Sequence, residues 1–503
     1  MLNARRWVLK PLLYAAALAV TVLATIVLVY AVQARINLGD LHAWHTIVLR
    51  EEAGRAHPEA FESFEAYKAQ EERLFAELRE RIYAPDEADT FALGRYNPRS
   101  VVAKLALDTP YNRSFELVPD GVPRGSVLLM HGLSDSPYHM RGLAEVFRSE
   151  GYYVVALRLP GHGTVPSGLR EVRWQDWYAA VEAAAKYTAA RGGNGKPFYI
   201  GGFSTGAALA TLYSVRSLDD SALPRPRGLY LLSPAIGISP SAVLTNVISG
   251  LAFIPAFEKS RWLDVFPEYD PYKYNSFAVN AGNQIHKLTG VLADALDDAG
   301  QRDRLGAMPR VVVFQSIVDS TITAREVVRG LLARLPRADH ELVVFDVNRI
   351  DAIQGLIAPG PLEDLERIRS ATDLPFRVTL IGSSSPDTRA VAAYTREAGA
   401  ADVAKTELGL SWPPAVFSLG HVSLPIPPDD PVYGIAPSHD VQTPFNLGAV
   451  AVRGESGALV LSLGAFSRLR SNPFFGVVRA KILETLVRDE QASGSGSAGQ
   501  PAQ

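Results

Sequence analysis

Cysteine is absent from all 503 residues. That excludes disulfides, thiolate metal sites and a cysteine nucleophile. It leaves the compartment open, since a chain without thiols persists in either redox setting. Nor is there an excess of charge of one sign: 50 Lys and Arg against 53 Asp and Glu leave a formal net charge of -3. Without a basic field there is no electrostatic case for a nucleic-acid partner. No His/Asp/Glu cluster falls at metal-ligand spacing, so metal-dependent hydrolysis is unsupported. The stretch GLSDSPYHMRG lacks the Gly-Lys-Ser/Thr ending of a phosphate loop.

Long apolar stretches are what the chain does have. Hydrophobic residues make up 47% and charged residues 20%, which suits a large buried core. The length exceeds one ordinary core and predicts one enlarged domain with appendages, or two domains. The run Leu12 to Val32 is uncharged and long enough as a helix to cross a hydrocarbon layer of about 30 Å. Arg5, Arg6 and Lys10 precede it, while Arg35, Asp40, Glu51 and Glu52 follow. This bias predicts a membrane anchor with the amino end cytoplasmic and the rest exported. Val32-Gln33-Ala34 also reads as a cleavage site, which would make the run a removed signal peptide and the protein secreted.

Residues 59–82 carry Phe61, Phe64, Phe75, Leu78 and Ile82 at helical spacing and predict a stem helix docked on the body. Asn97 to Asn112 reads as a connector. Apolar strands and amphipathic helices then alternate: SVLLMHG, YYVVALRLPG, PFYIGGFS, GLYLLSPAIG and PRVVVFQSIVDS are the strands of the central set. That alternation predicts a mostly parallel sheet covered on both faces. Residues 239–308 interrupt it with a helical insertion, and a second irregular region spans 350–413, containing the strand-like FRVTLIGSS. GAVAVRGESGALVLSL predicts a hairpin, NPFFGVVRAKILETLVRD a closing helix, and 491–503 a disordered tail.

GGFSTG places Ser204 between glycines at the spacing Gly-x-Ser-x-Gly. In a chain with 40 glycines such a pattern arises by chance in roughly one chain in five, so context decides. Ser204 falls where a buried strand ends and a helix begins, the position a nucleophile elbow requires, although a helix N-cap serine shares that location. MHGLSDSP follows the first strand of the set, and there the Leu133 N–H can face a reacting carbonyl, with the Thr205 N–H as second oxyanion donor.

VLLMHGLSDSP, VVALRLPGHG and YIGGFSTGAALA, in that order, resemble the α/β-hydrolase superfamily, and within it the monoacylglycerol lipase and lysophospholipase-like serine hydrolases. The likeness is best over Gly125 to Asp319. It implies an α/β-hydrolase domain over 113–490, after an anchor at 1–33 and a stem and connector at 34–112. It further implies a cap at 239–308, no cofactor, and a Ser–Asp/Glu–His triad in chain order. His162 in PGHG then reads as structural. Asp319, after the apolar run VVVFQSI, is the expected acid, and Asp346 its rival inside a strand. The base is expected soon after the next strand, yet ELVVFDVNRIDAIQ holds no histidine. His421, after AVFSLG, is favoured; His439 competes, and His340 precedes its strand and falls at the wrong end of the sheet. Leu251, Phe253, Ile254 and Phe257 line an acyl pocket or touch lipid, or form the core of the cap. The expected activity is cleavage of carboxylic esters of medium or long acyl chains, lipid-like substrates of the monoacylglycerol or lysophospholipid type, through an acyl-enzyme on Ser204. Amide, thioester or acyl-transfer chemistry on the same triad stays open, as does a non-catalytic binding module.

Overall fold

The computed structural model describes residues 38–84, 91–237, 255–349, 356–438, 445–450, 464 and 467–497, with a few positions between 14 and 25. Among the described residues are twelve strands: β1 Phe115–Leu117, β2 Gly125–Met130, β3 Tyr152–Leu157, β4 Phe198–Phe203, β5 Gly228–Leu232, β6 Trp262–Asp264, β7 Phe277–Ala278, β8 Arg310–Ser316, β9 Glu341–Phe345, β10 Arg377–Ser383, β11 Ala390–Arg396 and β12 Ala404–Ser411. The α-helices of seven residues or more among them are α1 Phe64–Leu78, α2 Val101–Asp108, α3 Arg141–Ser149, α4 Trp174–Gly192, α5 Thr205–Arg216, α6 Val279–Gln301, α7 Ala324–Gly330, α8 Pro359–Ser370 and α9 Phe475–Ser497.

Ten strands form one sheet in the order β1-β3-β2-β4-β5-β8-β9-β10-β11-β12. From β3 to β10 all neighbours are parallel, and the pairs at both margins are antiparallel. The central strands are buried along their whole length because both faces are covered. Successive side chains point to opposite faces, and the core divides accordingly. Leu128, Met130, Leu229, Leu231, Val311 and Val313 pack with α4, α5 and α6. Val127, Leu129, Tyr230, Leu232, Val312 and Phe314 pack with α3 and α9. This is the α/β-hydrolase arrangement.

Several elements depart from the sequence expectations. The connector contains α2, capped by the Ser100 side chain, which accepts from Ala103 N–H. In place of a wholly helical cap, the described part of the insertion has a short 3-10 helix at Pro255–Arg261, the β6–β7 pair and α6. Ile285, Leu288, Leu292 and Leu296 give α6 an apolar stripe that it buries against α5 and α4, as part of the layer flanking the sheet. Beyond the strand-like 377–383, the second insertion adds α8, β11 and β12. The closing helix α9 runs on to Ser497, into the segment read as a disordered tail. The predicted hairpin lies outside the described residues. So do two thirds of the residues of Leu12–Val32, and no helix among the described residues is long and apolar enough to cross a membrane.

The stem is part of the folded body. Ser63 caps α1 by accepting from Ala66 N–H, and Phe64, Tyr67, Leu74, Phe75 and Leu78 are buried. Its main polar anchor is Arg158, just past the end of β3 and fully buried. Arg158 Nε donates to Glu71 Oε1 at 2.7 Å, and its two Nη groups reach Glu52 at 2.9 and 3.1 Å. Tyr67 donates its hydroxyl to the Arg158 carbonyl at 2.7 Å. Removing one partner of a buried ion pair strands the other charge, at a cost of about 3–5 kcal/mol. Arg158→Met is therefore expected to lower the unfolding free energy, read from urea denaturation, by that order. Adding Glu71→Gln should recover part of the loss. An unchanged midpoint in the single variant would show that the stem is held by its apolar face alone.

Candidate active site

Ser204 sits between the last residue of β4 and the first of α5 with φ 53° and ψ -112°. A positive φ at a residue with a Cβ costs on the order of 1–3 kcal/mol and persists only where its surroundings enforce it. Ser204 N–H donates to Leu232 O on the neighbouring strand, and its carbonyl accepts from Ala207, Ala208 and Ala235. The glycines of the motif are steric necessities. A Cβ at Gly202 would lie 2.5 Å from Ala207 N, and one at Gly206 would lie 2.3 Å from Met130 O. The turn therefore presents the hydroxyl at the amino end of α5, where the helix dipole favours developing negative charge.

The loop after β2 meets this turn. Leu159 N–H donates to His131 Nε2 at 3.1 Å, so the ring proton is on Nδ1, which donates to Gly132 O at 2.8 Å. Burial, then His162, holds the His131 pKa well below its ordinary value, and the ring serves as a neutral strut. With the Gly132 carbonyl turned toward His131, the Leu133 N–H of the same trans peptide points the other way. Neither Leu133 N–H nor Thr205 N–H has a hydrogen-bond partner among the described residues. Ser134 follows with φ 64°, and Asp135 is ion-paired to Lys273 from the insertion. Burial works to raise the Asp135 carboxyl, but Lys273 and then His139 hold it far below the carboxylate range.

Asp319, past the end of β8, is 4% exposed. Its Oδ1 accepts from Thr321 and Ile322 N–H at 2.9 and 3.0 Å, and its Oδ2 from His421 Nδ1 at 2.7 Å. Burial pushes its pKa up, yet the His421 hydrogen bond and charge, the Ile322 N–H and Ser233 bring it below the usual value. The acid is thus an ionised acceptor at neutral pH. It fixes the His421 proton on Nδ1 and leaves Nε2 as the basic atom. The His421 ring lies 4.9 Å from the ring of Phe203, the residue before the elbow. No hydrogen bond joins Ser204 Oγ to His421 among the described residues; such bonds are often long before substrate binds.

The chain reaches His421 by a long excursion that closes on itself. Asn348, just after β9, donates its N–H to Phe417 O at 2.8 Å and its side-chain amide to Val416 O at 3.1 Å. Ser316 Oγ donates to Leu419 O at 2.8 Å. The described residues between 348 and 416 therefore lie outside the path from β9 to the histidine, which occupies in space the place expected directly after that strand.

The remaining expectations sort as follows. Asp346 is ion-paired with Arg349 and does not meet His421. His340 accepts from Val311 N–H beside the start of β8, and burial lowers its pKa to about 4. His162 is fully buried against the Leu159 and Pro160 carbonyls, a structural position. His439, Leu251, Phe253 and Ile254 lie outside the described residues, and Phe257 falls in the helix Pro255–Arg261. Sequence reasoning missed the His131 strut and the Lys273–Asp135 pair. The first had a local signal in MHG; the second joins residues 138 positions apart, and nothing in the chain links them.

Residues 121–346 match the family described as serine aminopeptidase, S33. That span includes Ser204 and Asp319 and stops before His421. A thermostable monoacylglycerol lipase of Bacillus sp. (strain H-257) is 38% identical over 87 residues, 17% of this chain and 33% of that protein. Phospholipase YtpA of Bacillus subtilis (strain 168) is 27% identical over 117 residues, 23% of this chain and 42% of that protein. The chain thus spans well under two thirds of the length of these curated relatives. Among solved structures, one reported for LipS and LipT, two metagenome-derived lipolytic enzymes, is 22% identical with a TM-score of 0.37, covering 52% of this chain and 99% of that one. The chain carries an α/β-hydrolase fold and resembles the serine hydrolases of the monoacylglycerol lipase type.

Gly206→Ala tests the elbow. Forcing a Cβ against Met130 O is expected to destabilise the fold by about 1–3 kcal/mol, read from urea unfolding. Ester turnover should fall further than the loss of folded protein explains. Full activity in the variant would show that the turn is not sterically fixed.

Proposed function

We infer that the protein is a serine hydrolase of carboxylic esters, lipid-like ones in particular, working through an acyl-enzyme on Ser204. The observation that carries this reading is the pairing of a backbone-enforced serine at a helix amino end with a histidine, held by a buried carboxylate, beside the same turn. His421 Nε2 takes the hydroxyl proton as Ser204 Oγ attacks the carbonyl carbon. The carbonyl oxygen gains charge and is received by the Leu133 and Thr205 N–H groups. Collapse breaks the ester bond, and the leaving alkoxide takes the proton from His421. Water then repeats the sequence on the acyl-enzyme, releasing the carboxylic acid and restoring Ser204. The named lipase and phospholipase relatives support the ester and lipid part. The family description favours a second reading, amide hydrolysis at a peptide amino end, through the same residues.

A fluorophosphonate probe should label Ser204 in the folded protein and fail on Ser204→Ala. Asp319→Asn and His421→Ala should each lower turnover of p-nitrophenyl butyrate on the order of a thousandfold or more. Absence of labelling in folded protein would end the reading. Faster release from aminoacyl-p-nitroanilides than from esters would move it to the amide bond.

The same protein is membrane-anchored through Leu12–Val32, with its body exported. Supporting this are the uncharged run, its flanking charge bias and the route of the chain that follows. Lys259 Nζ donates to Leu38 O and to Asp40 at 3.2 Å, which places Leu38, a few residues after the run in sequence, beside the insertion whose Leu263 and Phe266 are exposed. Full-length protein should fractionate with membranes and be open to protease from the exported side, while a chain starting at residue 35 should be soluble. A mature amino terminus at Arg35 would show cleavage instead.

A further inference from the structure

The two margins of the large sheet are finished differently. β1 has three residues, and its central side chain, Glu116, is bonded by Lys68 of α1 and Tyr187 of α4. β12 has eight residues, exposed or half-buried throughout. Its register shows which of its backbone groups are spent. Ser384 N–H donates to Ala390 O and Trp412 N–H to Arg389 O, so Ala390 faces β10 and Arg389 faces β12. Backbone direction alternates along a strand. Ala393 and Thr395 therefore turn toward their partners Thr406 and Ala404, while Lys405 and Glu407 turn their N–H and C=O groups away from the sheet. Among the described residues those outward groups have no partner. The register shift falls beyond them, opposite Val391 and Ala392, so Ala404 to Glu407 is a regular run.

An open edge of this kind either takes a further strand or is guarded against one. A lone lysine guards an edge by repelling its like. Here Glu407 follows on the same face, where Lys405 pairs with it at 2.7 Å beside the Tyr394 ring. We propose that β12 pairs with β12 of a second copy of this chain, antiparallel about a twofold axis through Thr406, joining the two sheets edge to edge. Outward-facing residues must meet outward-facing residues for the strands to bond. One such register sets Lys405 against Lys405, and another sets Glu407 against Glu407. The register centred on Thr406 sets Lys405 against Glu407 on both sides of the axis. Opposite charges stabilise a cross-strand pair and like charges destabilise it, so the charges select this register. In it each Lys405–Glu407 pair exchanges both of its N–H···O bonds. Val403, 53% exposed, falls opposite Gly409 of the second copy, where a Cβ would meet nothing within 4 Å. An unrelated strand has no reason to carry the complementary charges, whereas a copy supplies them by symmetry. Nothing in the pairing depends on the chemistry at Ser204.

The absence of cysteine makes the test direct. In this register Thr406 faces its own copy across a non-hydrogen-bonded pair, where Cα atoms lie about 4.5 Å apart, within the span of a disulfide. Full-length Thr406→Cys in detergent, under mild oxidation, is expected to form a covalent dimer about tenfold or more faster than Glu366→Cys, an exposed position on α8, because association raises the effective thiol concentration. Adding Lys405→Glu should bring the rate down to that of the control. The exchanged pair, Lys405→Glu with Glu407→Lys, should restore it. Urea unfolding midpoints equal to that of the wild type verify that the variants are folded. Cross-linking no faster than in Glu366→Cys overturns the pairing, whether the edge stays bare or holds another occupant. A rate indifferent to Lys405→Glu overturns it as well.

Discussion

The backbone at Ser204 is the constraint on which the site depends. The left-handed turn between strand and helix has no room for a side chain two positions before or after the serine. Gly202 and Gly206 must be bare because the Ala207 amide and the Met130 carbonyl already fill the space. The same turn is stitched outward: its N–H goes to β5, its carbonyl to α5 and to Ala235, and Gly206 N–H goes to His131 O on the loop after β2. These bonds hold the strained conformation against its cost of about 1–3 kcal/mol. They also set the hydroxyl, the Thr205 N–H and the Leu133 loop in one frame, so the candidate nucleophile and the candidate oxyanion donors are positioned by one local geometry.

Around that frame the ionisable groups are arranged in closed pairs. His131 is kept neutral by burial, Asp319 is kept ionised by His421 and backbone donors, and Asp135 by Lys273. The stem takes part in this order. Arg95 N–H donates to Glu268 O, its guanidinium reaches Gly163 O at 2.9 Å, and Asn112 donates to Pro271 O at 3.0 Å. The stem therefore clamps the loop that carries Lys273, and through it the loop bearing the candidate oxyanion donor. Tyr272, stacked 3.8 Å over Tyr138, closes the same contact.

How much of this was legible follows from range. Strands buried on both faces announce themselves as continuous apolar runs, and Gly-x-Ser-x-Gly at a strand–helix junction carries its own geometry. Ser204 and the Leu133 loop could thus be named from local pattern. Asp319 and His421 needed the chain order that the resemblance implies, and His421 was the harder of the two, because in sequence the histidine arrives only after β12, behind an apolar run and a glycine. Side-chain pairs such as Lys273–Asp135 and Arg158–Glu71 leave no periodic trace. α2 went unread because its eight residues follow Asn97-Pro98 in a stretch dominated by turn formers, although Ser100 ahead of Val101-Val102-Ala103 was an available cap signal. In α9, the Gly/Ser-rich end suggested the loss of helix before the helix actually stops.

The bonds from Asn348 to Val416 and Phe417 have an evolutionary reading. They pinch the excursion at its neck, so the histidine's position is set by the neck and not by whatever hangs from it. Loop-closure entropy grows only logarithmically, by about 0.6 kcal/mol for each doubling of length. Such a neck holds the histidine whatever the length of the turns beyond it, while Ile381, Val391 and Trp412 tie β10, β11 and the end of β12 into the core behind the central strands. Changes of length are then absorbed at the outer turns, and two amide contacts keep the candidate base in place.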